Sequence, residues 1–539
     1  MVQDEWMPAA AWTLAALLAA LVALVAARAA RRAAQLLRIP SPPAPSLLLG
    51  HLPAILSPRA PFYLAEWAEA CGPVTRLRMA VATKPLLVVS DPAEAAKVLR
   101  RGPSYLPKSR ALYAALEIGI QPRTPNMLTA SDGPVWKAVR ACVAPAFSAT
   151  SLKQVLPSLL DLTHRSADAV AAKGPGGEVD VSDLAKRITS DVMGLLLFGE
   201  DLGGVSGKQS EYLAIFNDLL AATHARFINP LRPLWVLWSA QARRQEAAVV
   251  RHNVLMGEMT AALQKSPPPD YTIAHHILNA KDPVRGQPLD TAQLKAEIGI
   301  VFGAGFETTS HAISWTLGAV AAHPEVQERL VRELAAAGLA PTADAPQPRG
   351  FEWSDGGRLP YLQAVIRESL RLFSPASLGT TRETDREIEL GGYLVPRGVM
   401  VMFSPFVAGL QTRLYGDDVM EFKPERWAAG GGAKADGGDA AGADAARVAD
   451  QDGGGAAAGA ERGPPDPLPF STGPRDCAGL ALAYLELQVV VATLVGRFSW
   501  TIDGAASAAD LHALAGYHVT LQAEGGLRLR AAPRAPVEV

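Results

Sequence analysis

The sequence predicts a mainly α-helical protein with a small β region (α+β) and an N-terminal transmembrane helix. Three stretches carry this reading. No charged residue occurs between Glu5 and Arg28; the chain from Asp290 to His323 keeps helical periodicity without a proline; and Leu480 to Val495 reads as a helix directly after Cys477. By contrast, Glu383-Thr384-Asp385-Arg386 falls in a stretch that reads as strand and turn.

The run Trp6 to Ala27 is long enough to cross a bilayer as a helix. Much of it is alanine, which is close to neutral toward insertion, so Leu14, Leu17, Leu18, Leu21, Val22, Leu24 and Val25 supply the driving force. Asp4 and Glu5 precede the run and Arg28, Arg31, Arg32 and Arg38 come after it. That order is opposite to a signal peptide's basic start and unlike an acid-poor transit sequence. The positive-inside rule then places the chain beyond Arg28 in the cytosol. Pro40, Pro42, Pro43 and Pro45 form a stiff extended spacer. The expected organisation is an anchor over 1–28, a basic and proline-rich spacer over 29–46, and one large domain over 47–539, since no linker halves the rest of the 539 residues.

A net charge of −2 gives no support to nucleic-acid binding. Three cysteines, Cys71, Cys142 and Cys477, are too few for a disulfide framework and fit a reducing compartment.

After the turn Ser131-Asp132-Gly133-Pro134, Trp136 and Arg140 stand at i and i+4 and can reach one anion. Pro230-Leu231-Arg232-Pro233-Leu234-Trp235-Val236-Leu237-Trp238 puts two tryptophans and three leucines in a proline-broken loop. Either it dips into a membrane interface or both tryptophans pack inside the domain. Asp290-Thr291-Ala292-Gln293 can form a capping box for a helix of roughly 30 residues, about 45 Å long. Near its centre stands Ala304-Gly305-Phe306-Glu307-Thr308-Thr309. A carboxylate in an apolar helix centre is costly unless paired or given a task, and a threonine hydroxyl can bond its own backbone and open the helix, which Gly305 would permit. Plain helix packing is the alternative.

Glu368 and Arg371 lie one helical turn apart on an amphipathic stretch and can pair. Glu383 and Arg386 match the same spacing without the helical context. The tract 428–465 is rich in Gly, Ala and Asp and almost empty of large apolar residues, so it reads as a disordered surface insertion.

Phe470-Ser471-Thr472-Gly473-Pro474-Arg475-Asp476-Cys477-Ala478-Gly479 surrounds a lone cysteine with the residues that let a thiolate bind haem iron. Two glycines give the backbone room to pass beneath a flat macrocycle and point N–H groups at the sulfur, and Arg475 can pair with an anionic haem edge. The helix beyond the loop directs the positive end of its dipole at the thiolate. With this motif, F-x-x-G-x-R-x-C-x-G, the chain resembles the cytochrome P-450 family over about residues 40 to 530.

The resemblance implies a helical prism around haem b (iron protoporphyrin IX), with the Cys477 thiolate as axial ligand and the domain 47–539 as a haem-thiolate catalytic domain. It implies Trp136, Arg140, Ala304, Arg382, Phe470, Gly473, Arg475 and Gly479 as haem contacts, with Trp136, Arg140, Arg382 and Arg475 at a propionate. Glu307 becomes the proton-relay acid and Thr308 the hydroxyl that hydrogen-bonds dioxygen during its reduction. Glu368, Arg371 and Arg426 become a buried structural triad. Around Leu410 the family commonly carries a histidine or arginine, which this chain lacks. The expected reaction inserts one atom of dioxygen into a lipophilic small molecule. With no G-x-G-x-x-G after a strand and no flavin-sized domain, electrons come from a separate NADPH-cytochrome P-450 reductase, with cytochrome b5 as a further donor. The expected location is the endoplasmic reticulum membrane, single-pass, with a chloroplast or other organelle membrane as the alternative. A haem-thiolate isomerase or dehydratase of lipid hydroperoxides and a non-catalytic haem-binding protein are the rival functions; fatty acyl, sterol, terpenoid, carotenoid and foreign substrates all stay open.

Overall fold

A computed structural model of the chain describes residues 6–80, 84–102, 105–117, 119–130, 132–208, 211–228, 232–427 and 463–538. The tract 428–462, nearly all of the expected insertion, lies outside them.

The long helix Thr291–Ala322 traverses the domain as its central element. Asp290 caps it by accepting from the Gln293 N–H at 2.9 Å. The Gln293 side chain turns instead to the Pro125 carbonyl and Glu297, so only half of the expected capping box forms. Helix Val181–Phe198 packs along the central helix and stops at Gly199, whose φ of 77° is left-handed and favours glycine. Gly305 sits at this contact: a Cβ there would lie 2.4 Å from Met193 Sδ. The glycine therefore lets two helices approach closely, where the sequence suggested that it opens the helix. The helical backbone runs unbroken through it. Helices Ala149–Ala171, Pro360–Leu372 and Leu480–Arg497 complete the surrounding bundle around a core that includes Trp315, Phe373 and Trp500.

The β region consists of small sheets. In the four-stranded one, Val74–Leu77 pairs antiparallel with Leu86–Val89, which runs parallel to Met400–Phe403, which pairs antiparallel with Thr380–Glu383. The register Arg382↔Val401 and a bridge Lys108↔Arg382 bring two cations to one edge of this sheet. Near the C-terminus, strands Ala515–His518 and Thr520–Ala523 form a hairpin with His518 opposite Thr520. Only Val519 lies between them, at φ 78°, a strained conformation for a β-branched residue.

The N-terminal helix Trp6–Leu37 continues past Arg28, and from Trp12 to Ala27 it is apolar and exposed. Its basic end docks on the domain: Arg31 and Gln35 bond Glu387, and Arg32 donates to the Gly398 carbonyl. The first half of the expected spacer is thus helix. The prolines beyond it lie against the domain, with Arg76 N–H donating to the Pro40 carbonyl. The short helix Arg232–Trp238 resolves the alternative posed by its two tryptophans: Trp235 is 56% and Trp238 73% exposed, beside exposed Leu234 and Leu237. Buried Arg232 holds it down through Gln245 and Glu246.

Candidate active site

The Cys477 loop is a set of tight turns. Cys477 N–H donates to the Phe470 carbonyl and Asp476 N–H to the Gly473 carbonyl, both at 2.9 Å. Gly473 has φ 78°, and a Cβ there would lie 2.6 Å from the Leu99 carbonyl oxygen, so only glycine fits. Phe470 packs on Tyr484 with ring centres 5.2 Å apart, and Gly479 is the N-cap of Leu480–Arg497. The sulfur is enclosed by protein, yet it retains accessible surface, which opens into an internal cavity of about 790 Å³. Burial pushes the thiol pKa up, more than the Gly479 N–H and Arg140 pull it down. A cation on the sulfur would reverse this, because a coordinating thiol is deprotonated outright.

The central helix contributes Ala304, Glu307 and Thr308 to the same cavity. Thr308 Oγ1 donates back to the Ala304 carbonyl at 2.9 Å. Glu307 is buried; its Oε1 is 2.9 Å from His311 Nε2 and accepts from Thr520 Oγ1 at 3.2 Å, while Oε2 has no hydrogen-bond partner among the described residues. Burial raises the Glu307 pKa, but His311, Lys186 and Thr520 outweigh it and hold the carboxyl well below its ordinary range.

A third group is cationic. Arg475 stacks on Trp136 at 3.8 Å and donates to the Met127 and Ala130 carbonyls. Arg382 is 2% exposed with no partner for Nε, and buried Lys108 donates to the Leu128 carbonyl. Among the described residues neither Lys108 nor Arg382 is in an ion pair. Burial, then Arg475 and Arg382, push the Lys108 pKa well down; burial, then Arg382, lower Arg475 to about 10. Three cations facing one another call for an anion, and the two carboxylates of a haem edge fit. Arg140, expected at this cluster, lines the same cavity and pairs with Asp476 at 2.5 Å, and Lys108 is a member that sequence reasoning missed.

The expected triad forms. Arg371 makes two bonds to Glu368, at 2.9 and 2.7 Å, with both side chains fully buried, and Arg426 Nε donates to Glu368 at 2.8 Å. Trp427 Nε1 takes the other Glu368 oxygen at 2.9 Å. The competing pair dissolves: Glu383 bonds Lys84 and Ser109, and Arg386 bonds Asp385. His311 and Thr520 were also missed. The first stands at i+4 from Glu307 and was readable; the second arrives from a hairpin 213 residues away and was not.

A cysteine sulfur open to a large enclosed cavity, an acid and a hydroxyl on the helix bordering it, and a cation cluster suited to a dianionic macrocycle define a haem-thiolate oxidoreductase. The cytochrome P-450 family model matches residues 40–515, and the chain belongs to that family. It is accordingly a monooxygenase that binds haem through a cysteine thiolate and uses dioxygen, a substrate and a redox partner. Among similar proteins, cyclooctat-9-en-7-ol 5-monooxygenase of Streptomyces melanosporofaciens is 27% identical over 69% of this chain and 72% of its own. Cytochrome P-450 4F6 of Rattus norvegicus is 27% identical over 92% of this chain and 88% of its own. Cytochrome P-450 4F2 of Homo sapiens is 25% identical, with 83% and 81% covered.

Proposed function

We propose that the chain is a membrane-anchored monooxygenase that inserts one atom of dioxygen into a lipophilic small molecule, with Cys477 as the axial ligand. One observation carries this: the Cys477 sulfur opens into a largely apolar cavity that Glu307 and Thr308 also line. Haem, when bound, supplies the reducible iron that activates dioxygen. Trp136, Arg140, Lys108, Arg382 and Arg475 would hold its carboxylates, Arg140 also bracing the loop through Asp476, and Phe470, Gly473 and Gly479 would shape the bed around the sulfur. Ala304 leaves space on the opposite side. Glu307, held ionised, takes up and passes on a proton at Oε2, which has no partner among the described residues, and Thr308 positions the proton's destination with its hydroxyl. Glu368, Arg371 and Arg426 keep the proximal core in register.

Electrons come from an NADPH-dependent cytochrome P-450 reductase, with cytochrome b5 as a further donor. The N-terminal anchor, residues 1–28, holds the protein in the endoplasmic reticulum membrane in a single pass, with residues 47–539 as the cytosolic catalytic domain. Trp235, Trp238, Leu234 and Leu237 dip into the same interface, so lipophilic substrate enters from the bilayer. The test is reconstitution with reductase and a lipophilic panel. Oxygenated product that depends on NADPH and incorporates one atom of labelled dioxygen supports the reading. Rearrangement of a lipid hydroperoxide at full rate without NADPH replaces it with the isomerase.

A further inference from the structure

The polar side chains that line the cavity are, with few exceptions, committed to the protein itself. Tyr113 accepts from Thr381 N–H and bonds Thr380; Thr223 donates to the Leu219 carbonyl; Glu117 is taken by Arg110 and Thr129. Two of these exceptions lie together. Tyr517, on the hairpin Ala515–Ala523, and His224, on helix Glu211–Ile228, both line the cavity, and neither side chain makes a hydrogen bond among the described residues. Their rings lie 6.4 Å apart, edge to face. Tyr517 is fixed from behind by its N–H on the Pro58 carbonyl at 2.8 Å, and the accessible surface of this otherwise enclosed side chain is cavity wall.

Both groups are neutral. Burial pushes the Tyr517 phenol up, so it remains a donor, and burial with the neighbouring His518 lowers His224 to about 4. Neutral imidazole offers one donor and one acceptor, and a phenol offers both roles. Unused hydrogen-bonding groups facing an apolar cavity are costly unless a ligand uses them. Among the described residues the charged groups nearest them are paired, Arg226 with Glu246 and His518 with Glu524 at 2.7 Å, whose charge lies on the His224 side; Lys108, on the same cavity, is engaged by the Leu128 carbonyl and the Tyr113 ring.

We propose that Tyr517 and His224 form a substrate subsite that binds one neutral oxygen function, a hydroxyl or a carbonyl, of an otherwise hydrocarbon molecule, and that discriminates against a carboxylate. This rests on the monooxygenase reading and specifies its substrate class. Donation from the phenol suits either function, and His224 accepts from a hydroxyl or donates to a carbonyl. A carboxylate would lose its water beside two neutral rings, with Glu524 nearby.

The experiment uses the full-length haem protein in detergent, titrated with dodecane, 1-dodecanol, 2-dodecanone and dodecanoate. Binding is read from the Soret shift and, independently of haem, from quenching of intrinsic fluorescence. The alcohol and the ketone are expected to bind about tenfold more tightly than dodecane and dodecanoate, the size of one buried hydrogen bond. In Tyr517→Phe and His224→Leu that preference shrinks to about twofold or less, while dodecane binds as in the wild type. Equal binding of alcohol, ketone and alkane by the wild type, tightest binding of dodecanoate, or a preference intact in both variants overturns the subsite. The wild-type comparison decides even if a variant does not fold. Loss of the thiolate spectrum would strike the monooxygenase reading separately, because the fluorescence titration still reports the subsite.

Discussion

His311 Nε2 lies 2.9 Å from Glu307 Oε1, one helical turn along the central helix, and both side chains are buried. The pair reverses what burial alone would do to the carboxyl. With a folded pKa of about 2 against an ordinary 4.5, the stabilisation from ionised Glu307 is fully present above 4.5 and is lost as pH falls through about 2. Replacing His311 with alanine leaves burial opposed only by Lys186 and Thr520, so the carboxyl pKa rises. The expected outcome is an acid limb of product formation displaced upward in pH, with about tenfold less product per NADPH and more hydrogen peroxide. Glu307→Gln is expected to cost about 10²-fold in kcat. Steady-state pH profiles with peroxide quantitation check both.

The cation cluster predicts haem retention. Arg382→Leu removes a buried guanidinium that has no counterion among the described residues, and haem transfer to apomyoglobin is expected to accelerate about tenfold. Arg140→Leu, which breaks a pair with Asp476 instead, is expected to have the smaller effect in the same assay.

Truncating one partner of the fully buried Glu368–Arg371 pair leaves an uncompensated charge. Arg371→Ala is expected to lose about 3–5 kcal/mol, read as the shift in urea midpoint at constant slope.

Gly473→Ala sets a Cβ at φ 78° and 2.6 Å from the Leu99 carbonyl oxygen. The Cys477 loop must shift, with an expected cost of about 1–3 kcal/mol and a weakened or broadened thiolate Soret band, measurable by thermal unfolding monitored at that band.

Trp235→Ser with Trp238→Ser removes the two largest exposed apolar side chains of helix Arg232–Trp238. In protein lacking residues 1–38, this double substitution is expected to abolish residual binding to liposomes, as measured by flotation. Unchanged flotation would contradict interfacial insertion.

Local features were legible in the sequence. The Cys477 loop, the Glu368–Arg371 turn and the acid of the central helix all depend on residues within about ten positions of one another, so motif spacing displays them directly. Contacts made by tertiary register were not legible. Lys108 meets Arg382 through a strand bridge, Thr520 reaches Glu307 from a hairpin, and Tyr517 meets His224 across the cavity. Where local reasoning went astray, a distant partner prevailed: Gly305 made way for Met193, and the basic segment after the anchor stayed helical to reach Glu387. Exposure of Trp235 and Trp238 depends on how Arg232 tethers its helix, which composition does not record.

The central claim is that Cys477 supplies the thiolate beneath the haem. Its most direct test is the carbon-monoxide difference spectrum of the reduced, purified protein beside Cys477→Ser. A red-shifted thiolate-type Soret band in the native protein, absent from the variant, is the predicted result. Absence of haem from the native protein, or the same spectrum in both, would contradict the account.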